Sequence, residues 1–314
     1  MATLPLPRVP KQSFYGDQFS PLTGAQVRVN ASTFQVFKVC PRKYYYEVLL
    51  GGGKGEENPH LRFGTLLHKA KAVFETNLAR GADHDLALQG AFRFLLRETW
   101  DHELGKPGFA TDPLKNRATL LRTFVWYADQ YRGDPFETAM LPSGKPAVEV
   151  GFEFDSGVTG LAGEQITFVG TIDKIGRFNG KTYVGDVKTT SSARFATAQN
   201  YTPDGQFSLY SVAAQVCFGF EPDGLILDGI VIGVNATEFH RAIVPRPAGV
   251  LEEWLRDQRV WLQRLTDAFA TGEWPQNDAA CGLYGGCRFR AICGADPKHR
   301  EALLTQLTEP RNDP

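Results

Sequence analysis

Near the middle of the chain, apolar and polar positions alternate strictly. Ala147 to Phe154, AVEVGFEF, puts Val148, Val150, Phe152 and Phe154 on one side and Glu149 and Glu153 on the other. That is the period of a half-buried strand. The strand leads into Ile166 to Thr190, ITFVGTIDKIGRFNGKTYVGDVKTT, where two β-rich runs flank Asn179-Gly180. This pair is the strongest short-range signal for a two-residue type I′ hairpin. With Asn179 and Gly180 as the loop, Phe178 pairs with Lys181, and the count outward sets Asp173 opposite Asp186. Like charges placed so are destabilising, and a divalent cation between them removes the conflict. Lys188 shares a face with Asp186, while Val187 points away. On the hairpin alone, a solvated Asp and Lys on an exposed face explains the pattern equally well.

Helical periods occupy the flanks. In VNASTFQVFKVCPRKYYYEVLL, Ser32 is placed to cap a helix through Phe34, Phe37 and Val39, with Pro41 marking a break. Residues 51–60, GGGKGEENPH, read as a loop, and its glycines lack the spacing of a nucleotide-triphosphate loop. Phe63-Gly64-Thr65 opens a helix that carries His68 and Glu75 at i and i+7, on one face. A lone helical His is more often a surface or satisfied core residue than a ligand. Two further helical stretches follow, Asp83–Leu104 and Pro113–Tyr131, with Leu95, Leu96 and Trp100 among their apolar positions. After Lys188 an irregular segment precedes a buried helix, QFSLYSVAAQVCFGF, ending near Gly219. Gln206 and Tyr210 are i, i+4 neighbours at its start. Leu225–Val234 and Phe239–Val244 form a second strand pair, and an amphipathic helix runs from about Ala248 to Thr271. There are no internal repeats.

Composition narrows the classes. The chain has 314 residues, 42% hydrophobic and 22% charged, with a net charge of −1, as expected of a folded domain with a sizeable core. No global basic field advertises nucleic acid. No apolar run reaches the length of a membrane span, and MATLPLPRVPKQ lacks the apolar core of a signal peptide. The expectation is a cytoplasmic protein that does not engage membrane. Residues 1–30 read as an irregular arm and 296–314 as a C-terminal tail.

Five cysteines are too few for a disulfide scaffold, yet CGLYGGCRFRAIC gathers Cys281, Cys287 and Cys293. In a reducing compartment such clustering suggests metal. A fourth ligand would come from Cys40, in a polar and basic setting, or Cys217, in an apolar one that suits a core thiol; thiolate fits the first better. Zinc sites usually show shorter spacing, so the five-residue gaps favour a bulkier iron–sulfur cluster over Zn²⁺.

Taken together, FQVFKVCPRKYYYE, FGTLLH, GTIDKI, GDVKTT, QFSLY and the cysteine cluster resemble, in order, the PD-(D/E)XK nuclease superfamily, and within it the RecB-like exonuclease branch with a four-cysteine iron–sulfur cluster. The resemblance covers roughly residues 30–295. It implies an α/β fold with a restriction-endonuclease-like core, a central mixed β-sheet flanked by helices and a helical insertion. It implies one nuclease domain over 31–295, with the insertion at 84–135 and the cysteine segment 272–295 packed on the Cys40 region. His68, Asp173, Asp186 and the carbonyl of Val187 resemble ligands of Mg²⁺ or Mn²⁺, and Lys188 the catalytic lysine acting with Asp173 and Asp186. Gln206 and Tyr210 resemble the motif that supports the site and contacts DNA. Cys40, Cys281, Cys287 and Cys293 resemble 4Fe–4S ligands, though relatives often have a C-x2-C-x5-C ending where this chain has two five-residue gaps. The implied activity is metal-dependent hydrolysis of DNA phosphodiesters, with exonuclease action at ends in recombination, repair, phage DNA processing or CRISPR adaptation. Any helicase partner is a separate chain. Arg42, Lys43, Lys69, Lys71, Arg288 and Arg290 are candidates for a DNA path. The rivals are a non-catalytic DNA-binding or scaffold protein with a structural cluster, and a nuclease acting on RNA.

Overall fold

The structure, a computed structural model, describes residues 16–52, 59–109, 112–192, 198–234 and 236–308. Parts of the expected arm (1–15), loop (53–58) and tail (309–314) lie outside the described residues. The described residues divide into two compact units, one drawn from 1–56, 153–170 and 253–314, the other from 57–152 and 171–252.

The second unit is built on the hairpin. Strands β6 (Gln165–Phe178) and β7 (Lys181–Thr190) pair antiparallel, with Phe178 opposite Lys181. Asn179 and Gly180 take φ of 50° and 77°, the left-handed geometry that a type I′ turn needs and that these two residues tolerate. The ladder runs to Lys174 opposite Gly185, one step short of Asp173 and Asp186. Next to β7, strand β8 (Gly224–Ile232) runs parallel, with Val187 in register with Asp228, and β9 (Thr237–Pro245) pairs antiparallel with β8. Strand β4 (Glu137–Thr138) adds to β6. The parallel β7–β8 step requires a crossover, supplied by α6 (Gly205–Phe218). Asp204 caps α6 by accepting from the Phe207 N–H, and Gly219 ends it in the left-handed conformation.

Helices cover both faces of this mixed sheet. Val187, Ile230 and Ile232 enter a core with Phe63, Leu67, Leu95, Leu120 and Phe124. These come from α3 (Pro59–Ala79), α4 (His84–Glu98) and α5 (Arg117–Gln130). Side chains alternate along β7, so Lys188 emerges on the opposite face, where its ammonium lies over the ring of Phe207 on α6.

Several boundaries differ from the sequence expectation. Helix α3 begins at Pro59, so Gly64 is inside it rather than at its start. Helix α4 stops at Glu98, and a small hairpin follows, β2 (Trp100–Asp101) with β3 (Lys106–Pro107). Trp100 is therefore 41% exposed instead of joining the packing face with Leu95. Helix α5 starts only at Arg117, because Asp112 ties the Leu114 and Lys115 N–H groups into a turn first.

In the first unit, β1 (Arg28–Val29) pairs parallel with Thr167 and Phe168, so residues 16–30 are more ordered than an irregular arm. Helix α1 (Ala31–Val39) is capped by Asn30, not Ser32: the Asn30 side chain accepts from Thr33 N–H. Cys40 is extended, and α2 (Pro41–Tyr44) resumes with Pro at its first position, where the missing N–H costs nothing. Phe37, Tyr44, Phe269 and Trp274 pack ring to ring. The long helix α7 begins in the second unit at Ala248 and ends at Thr271 in the first. Helices α8 (Arg290–Gly294) and α9 (Arg300–Thr308) close the described chain, so the tail is helical as far as Thr308.

Candidate metal centre

His68, Asp173 and Asp186 each offer one ligand atom, and these atoms lie within 4.8 Å of one another. They come from α3, β6 and β7. His68 Nδ1 stands 2.7 Å from Asp173 Oδ2, and Lys188 Nζ stands 3.0 Å from Asp186 Oδ2. Neither contact is aligned as a hydrogen bond: both carboxylate oxygens are buried and lack an aligned donor. Buried oxygens of this kind are rare in folded proteins unless an ion or water completes them. For octahedral Mg²⁺ with bonds near 2.1 Å, opposed ligands stand about 4.2 Å apart, so a small inward movement would close the set. Two carboxylates and an imidazole also suit Mn²⁺. The donor set fits a divalent cation.

The surrounding charges treat the two acids differently. Burial pushes both carboxyls up. At Asp173 the contact with His68 and the charge of Lys71 outweigh that effect, and the group is held below its usual range. Asp186 is more deeply buried; Lys188 offsets this only in part, Asp173 adds repulsion, and the carboxyl is pushed up. His68 is raised: burial opposes its charge, but Asp173 and Asp186 win. Lys188 is raised likewise, burial being outweighed by Asp186.

Lys188 is positioned from the far side. Its Nζ donates to Gln206 Oε1 at 3.3 Å, and Gln206 Nε2 donates to the Tyr210 hydroxyl at 2.8 Å. Tyr210 is set edge-on against Phe152. Six of the residues singled out from the sequence thus share this site: His68, Asp173, Asp186, Lys188, Gln206 and Tyr210. The side chain of Val187 is in the core, on the other face of β7.

Glu75, expected on the His68 face, is drawn away. It pairs with Lys71 at 3.1 Å and with Lys174, and accepts from Thr138. Lys71 is therefore a buried ion-pair partner rather than part of a DNA path. Arg42 and Lys43 are engaged too, on the Trp274 carbonyl and Glu47. Of the two glutamates on β5 (Val148–Thr159), Glu153 pairs with Arg28. Glu149 remains close enough to Asp173 that burial and that charge together push its carboxyl up. It is also a non-glycine residue at φ 49°, a strained conformation of a kind that clusters at functional sites. Lys174 escaped sequence reasoning; the signal was its place one residue after Asp173, on the face that faces inward.

The cysteines belong to the first unit. Cys40 is buried and the other three are half-buried, all as free thiols. Asn277 binds the two stretches together: its N–H donates to Cys40 Sγ at 3.4 Å and its Nδ2 to the Val39 carbonyl at 2.8 Å. Arg42 N–H donates to the Pro275 carbonyl. Cys287 and Cys293 pack against Tyr46, Phe289 and Ile292. Among the described residues no three sulfurs come within 4.8 Å of one another, wider than the ~3.8 Å edge of a zinc tetrahedron with 2.3 Å bonds. Cys217 is half-buried, not a core thiol.

Comparison with known proteins fits this geometry. The family model of the PD-(D/E)XK nuclease superfamily matches residues 28–294. The chain belongs to that superfamily, whose members are nucleases that hydrolyse phosphodiesters and generally use divalent metals. Among solved structures it is similar to a proposed exonuclease from Eubacterium rectale, at 12% identity and TM-score 0.49, over 82% of this chain and 86% of that one. It is also similar to SSO0001, at 18% identity and TM-score 0.27, over 47% of this chain and 59% of that one. A comparison with curated proteins finds no match. Among the described residues no helix is long and apolar enough to cross a membrane.

Proposed function

We propose that this chain is a Mg²⁺- or Mn²⁺-dependent deoxyribonuclease of the RecB-like branch, acting as an exonuclease on DNA ends. The observation that carries the reading is the joining of His68, Asp173 and Asp186 with Lys188 at one buried point, with two carboxylate oxygens left without aligned donors. His68, Asp173, Asp186 and the Val187 carbonyl would hold the cation. The cation supplies Lewis acidity toward a phosphate oxygen and a water.

The chain's own residues do the rest. Lys188 carries a full charge, since Asp186 raises it, so its Nζ is a donor. That favours stabilising negative charge on the phosphate, or orienting the water, over taking a proton from it. Gln206 accepts from one Nζ hydrogen and so holds the ammonium beside Asp186. Tyr210 stays protonated, held so by burial and the nearby acids, and its hydroxyl anchors Gln206. The buried setting strengthens each of these interactions.

Cys40, Cys281, Cys287 and Cys293 are proposed to hold a 4Fe–4S cluster that staples residues 39–42 to 274–293. The hydrogen bonds of Asn277 and Arg42, which join the two stretches, support this reading.

The test is digestion of end-labelled single- and double-stranded DNA, and of RNA in parallel, with Mg²⁺, Mn²⁺ or EDTA. Anaerobically purified wild type is compared with Lys188→Ala. Metal-dependent cleavage of DNA by wild type alone is expected, with a product ladder that reports polarity. Folded, cluster-loaded wild type that binds DNA without cleaving it would overturn the enzymatic reading in favour of a binding module.

A further inference from the structure

A cavity beside α4 takes no part in the proposed chemistry. Arg93, Leu96, Arg97, Trp100, His102 and Arg117 line about 460 Å³. Arg93 and Arg97, at i and i+4, project from one face of α4. Trp100 follows directly on β2. Arg117 opens α5 and is fixed by its Nε donating to Thr99 Oγ1 at 3.0 Å. None of the lining residues is acidic. Among the described residues Arg93 has no ion pair, and Arg97 has the exposed Glu98 contact at 3.1 Å, a pairing of little worth. Three arginines border one open concavity whose wall is mostly apolar, so their positive charges are available to an anion at its rim. The chain's net charge of −1 means that this concentration is local, not a consequence of composition.

The lining chemistry selects the ligand. Guanidinium forks match phosphate oxygens. An indole that is 41% exposed offers a face on which any base stacks. Duplex bases are already stacked on one another, so a single strand is the form that uses both features.

The cavity also connects to the catalytic strand. Lys115, two residues before Arg117, is buried with its Nζ 3.5 Å from Thr189 Oγ1 and over the ring of Phe63. No carboxylate lies within ion-pair distance of it among the described residues; Asp112 is the acid whose charge reaches it. Thr189 adjoins Lys188. Lys115 therefore reaches β7 from the sheet face opposite Lys188.

We propose that this cavity binds single-stranded DNA, one base on Trp100 and the flanking phosphates on Arg93, Arg97 and Arg117. The proposal rests on the nuclease reading and adds to it a place that grips the strand away from the bond being cut.

Fluorescence anisotropy of a labelled oligo(dT), with the full chain in EDTA and over a range of salt, tests it. Arg93→Gln with Arg97→Gln is expected to weaken binding tenfold or more. It should also flatten the log–log salt slope by about 1.4, at ~0.7 per phosphate contact on a single strand. Trp100→Ala is expected to weaken binding roughly fivefold or more, and Trp100→Phe to restore most of it. Arg80→Gln, an exposed arginine just beyond α3, calibrates the loss from removing any charge. These side chains are exposed, so circular dichroism should show folded variants. Affinity and slope equal to the Arg80→Gln control would overturn the proposal, as would an equal loss on blunt duplex. Wild type that cleaves DNA while the cavity variants bind normally defeats the cavity alone. Wild type that neither binds nor cleaves defeats the nuclease reading itself.

Discussion

Two groups of buried charges in the second unit share the same elements and end in opposite states. In one, Lys71, Lys174 and Arg241 face Glu75, Asp134 and Asp228: three cations against three anions. Arg241 donates to both Asp134 and Asp228, Tyr127 donates to Asp228, and Lys174 donates to the Phe136 carbonyl. In the other, Asp173 and Asp186 face Lys188, and the imidazole of His68 is the remaining partner. The first group is balanced and hydrogen-bonded. The second leaves two carboxylate oxygens without aligned donors. Asp173 and Lys174 are adjacent on β6, yet one belongs to each group. Burial of charge is costly in both; the first recovers the cost internally, and the second recovers it with a ligand. A network whose polar atoms are satisfied is scaffold, and one beside it with unpartnered oxygens is a site.

Neutralising an acid of the site gives the largest expected effect. Asp186→Asn removes a metal ligand and also a carboxylate whose charge burial and Asp173 disfavour in the fold. Cleavage should fall at least a thousandfold. Unfolding of the metal-free protein in urea should need as much denaturant as wild type, or more. A variant that lost activity and several kcal/mol of stability together would mean that Asp186 is part of the scaffold, and the contrast would collapse.

The same kind of change in the balanced group should do the reverse. Glu75→Gln leaves Lys71 and Lys174 buried without their shared carboxylate, and breaking one partner of such a group costs about 3–5 kcal/mol. The pH dependence has a definite sign. Burial pushes Glu75 up, but the two lysines draw it from 4.5 down to about 2. Its contribution is therefore complete above pH 4.5 and is lost as pH falls through about 2. At 1.36 kcal/mol per unit the loss is about 3 kcal/mol. The lysines do not shift together: Lys71 is raised, whereas burial and the charge of Lys71 lower Lys174. Lys174 thus offsets part of the gain, and the Glu75 figure is an upper value for the group. Urea midpoints measured from pH 5 to pH 2 should fall steeply in wild type and less in Glu75→Gln. Parallel curves would remove Glu75 from the account.

The site was more legible in the sequence than its foundation. The Asn179-Gly180 turn fixes the register, and period-two alternation then decides which residues oppose, so Asp173, Asp186 and Lys188 followed by counting. The sequence could not show that the ladder stops at Lys174, one step before the acids, or that His68 of α3 reaches Asp173 there. Nor could it show what becomes of Glu75: the i, i+7 spacing sets it on the His68 face, and only the approach of Lys174 from another element takes it away. Helix ends failed for a local reason. Asn30 and Ser32 are both good caps, and one backbone geometry chose between them. Trp100 read as core because apolar spacing continued past Glu98, where the chain turns into a hairpin. The cavity needs α4, β2 and α5 together and had no linear motif.

The smallest effect separates the two groups most cleanly, because it changes no residue of the scaffold. A cation that binds the folded form alone stabilises it by RT ln(1 + [L]/Kd), about 2.7 kcal/mol at a hundredfold excess over Kd. Wild type should therefore melt at a higher temperature with Mn²⁺ or Mg²⁺ than with EDTA, and the increment should grow with the logarithm of metal concentration. Asp186→Asn should lose the increment. Lys174→Met should lower both melting curves and keep it, since Lys174 supports Glu75 and touches no ligand atom of the site. If Lys174→Met also abolished the increment, the balanced network would be setting the ligand geometry as well as supporting the fold. If Asp186→Asn kept it, the metal would be binding elsewhere, and the division between scaffold and site would have been drawn in the wrong place.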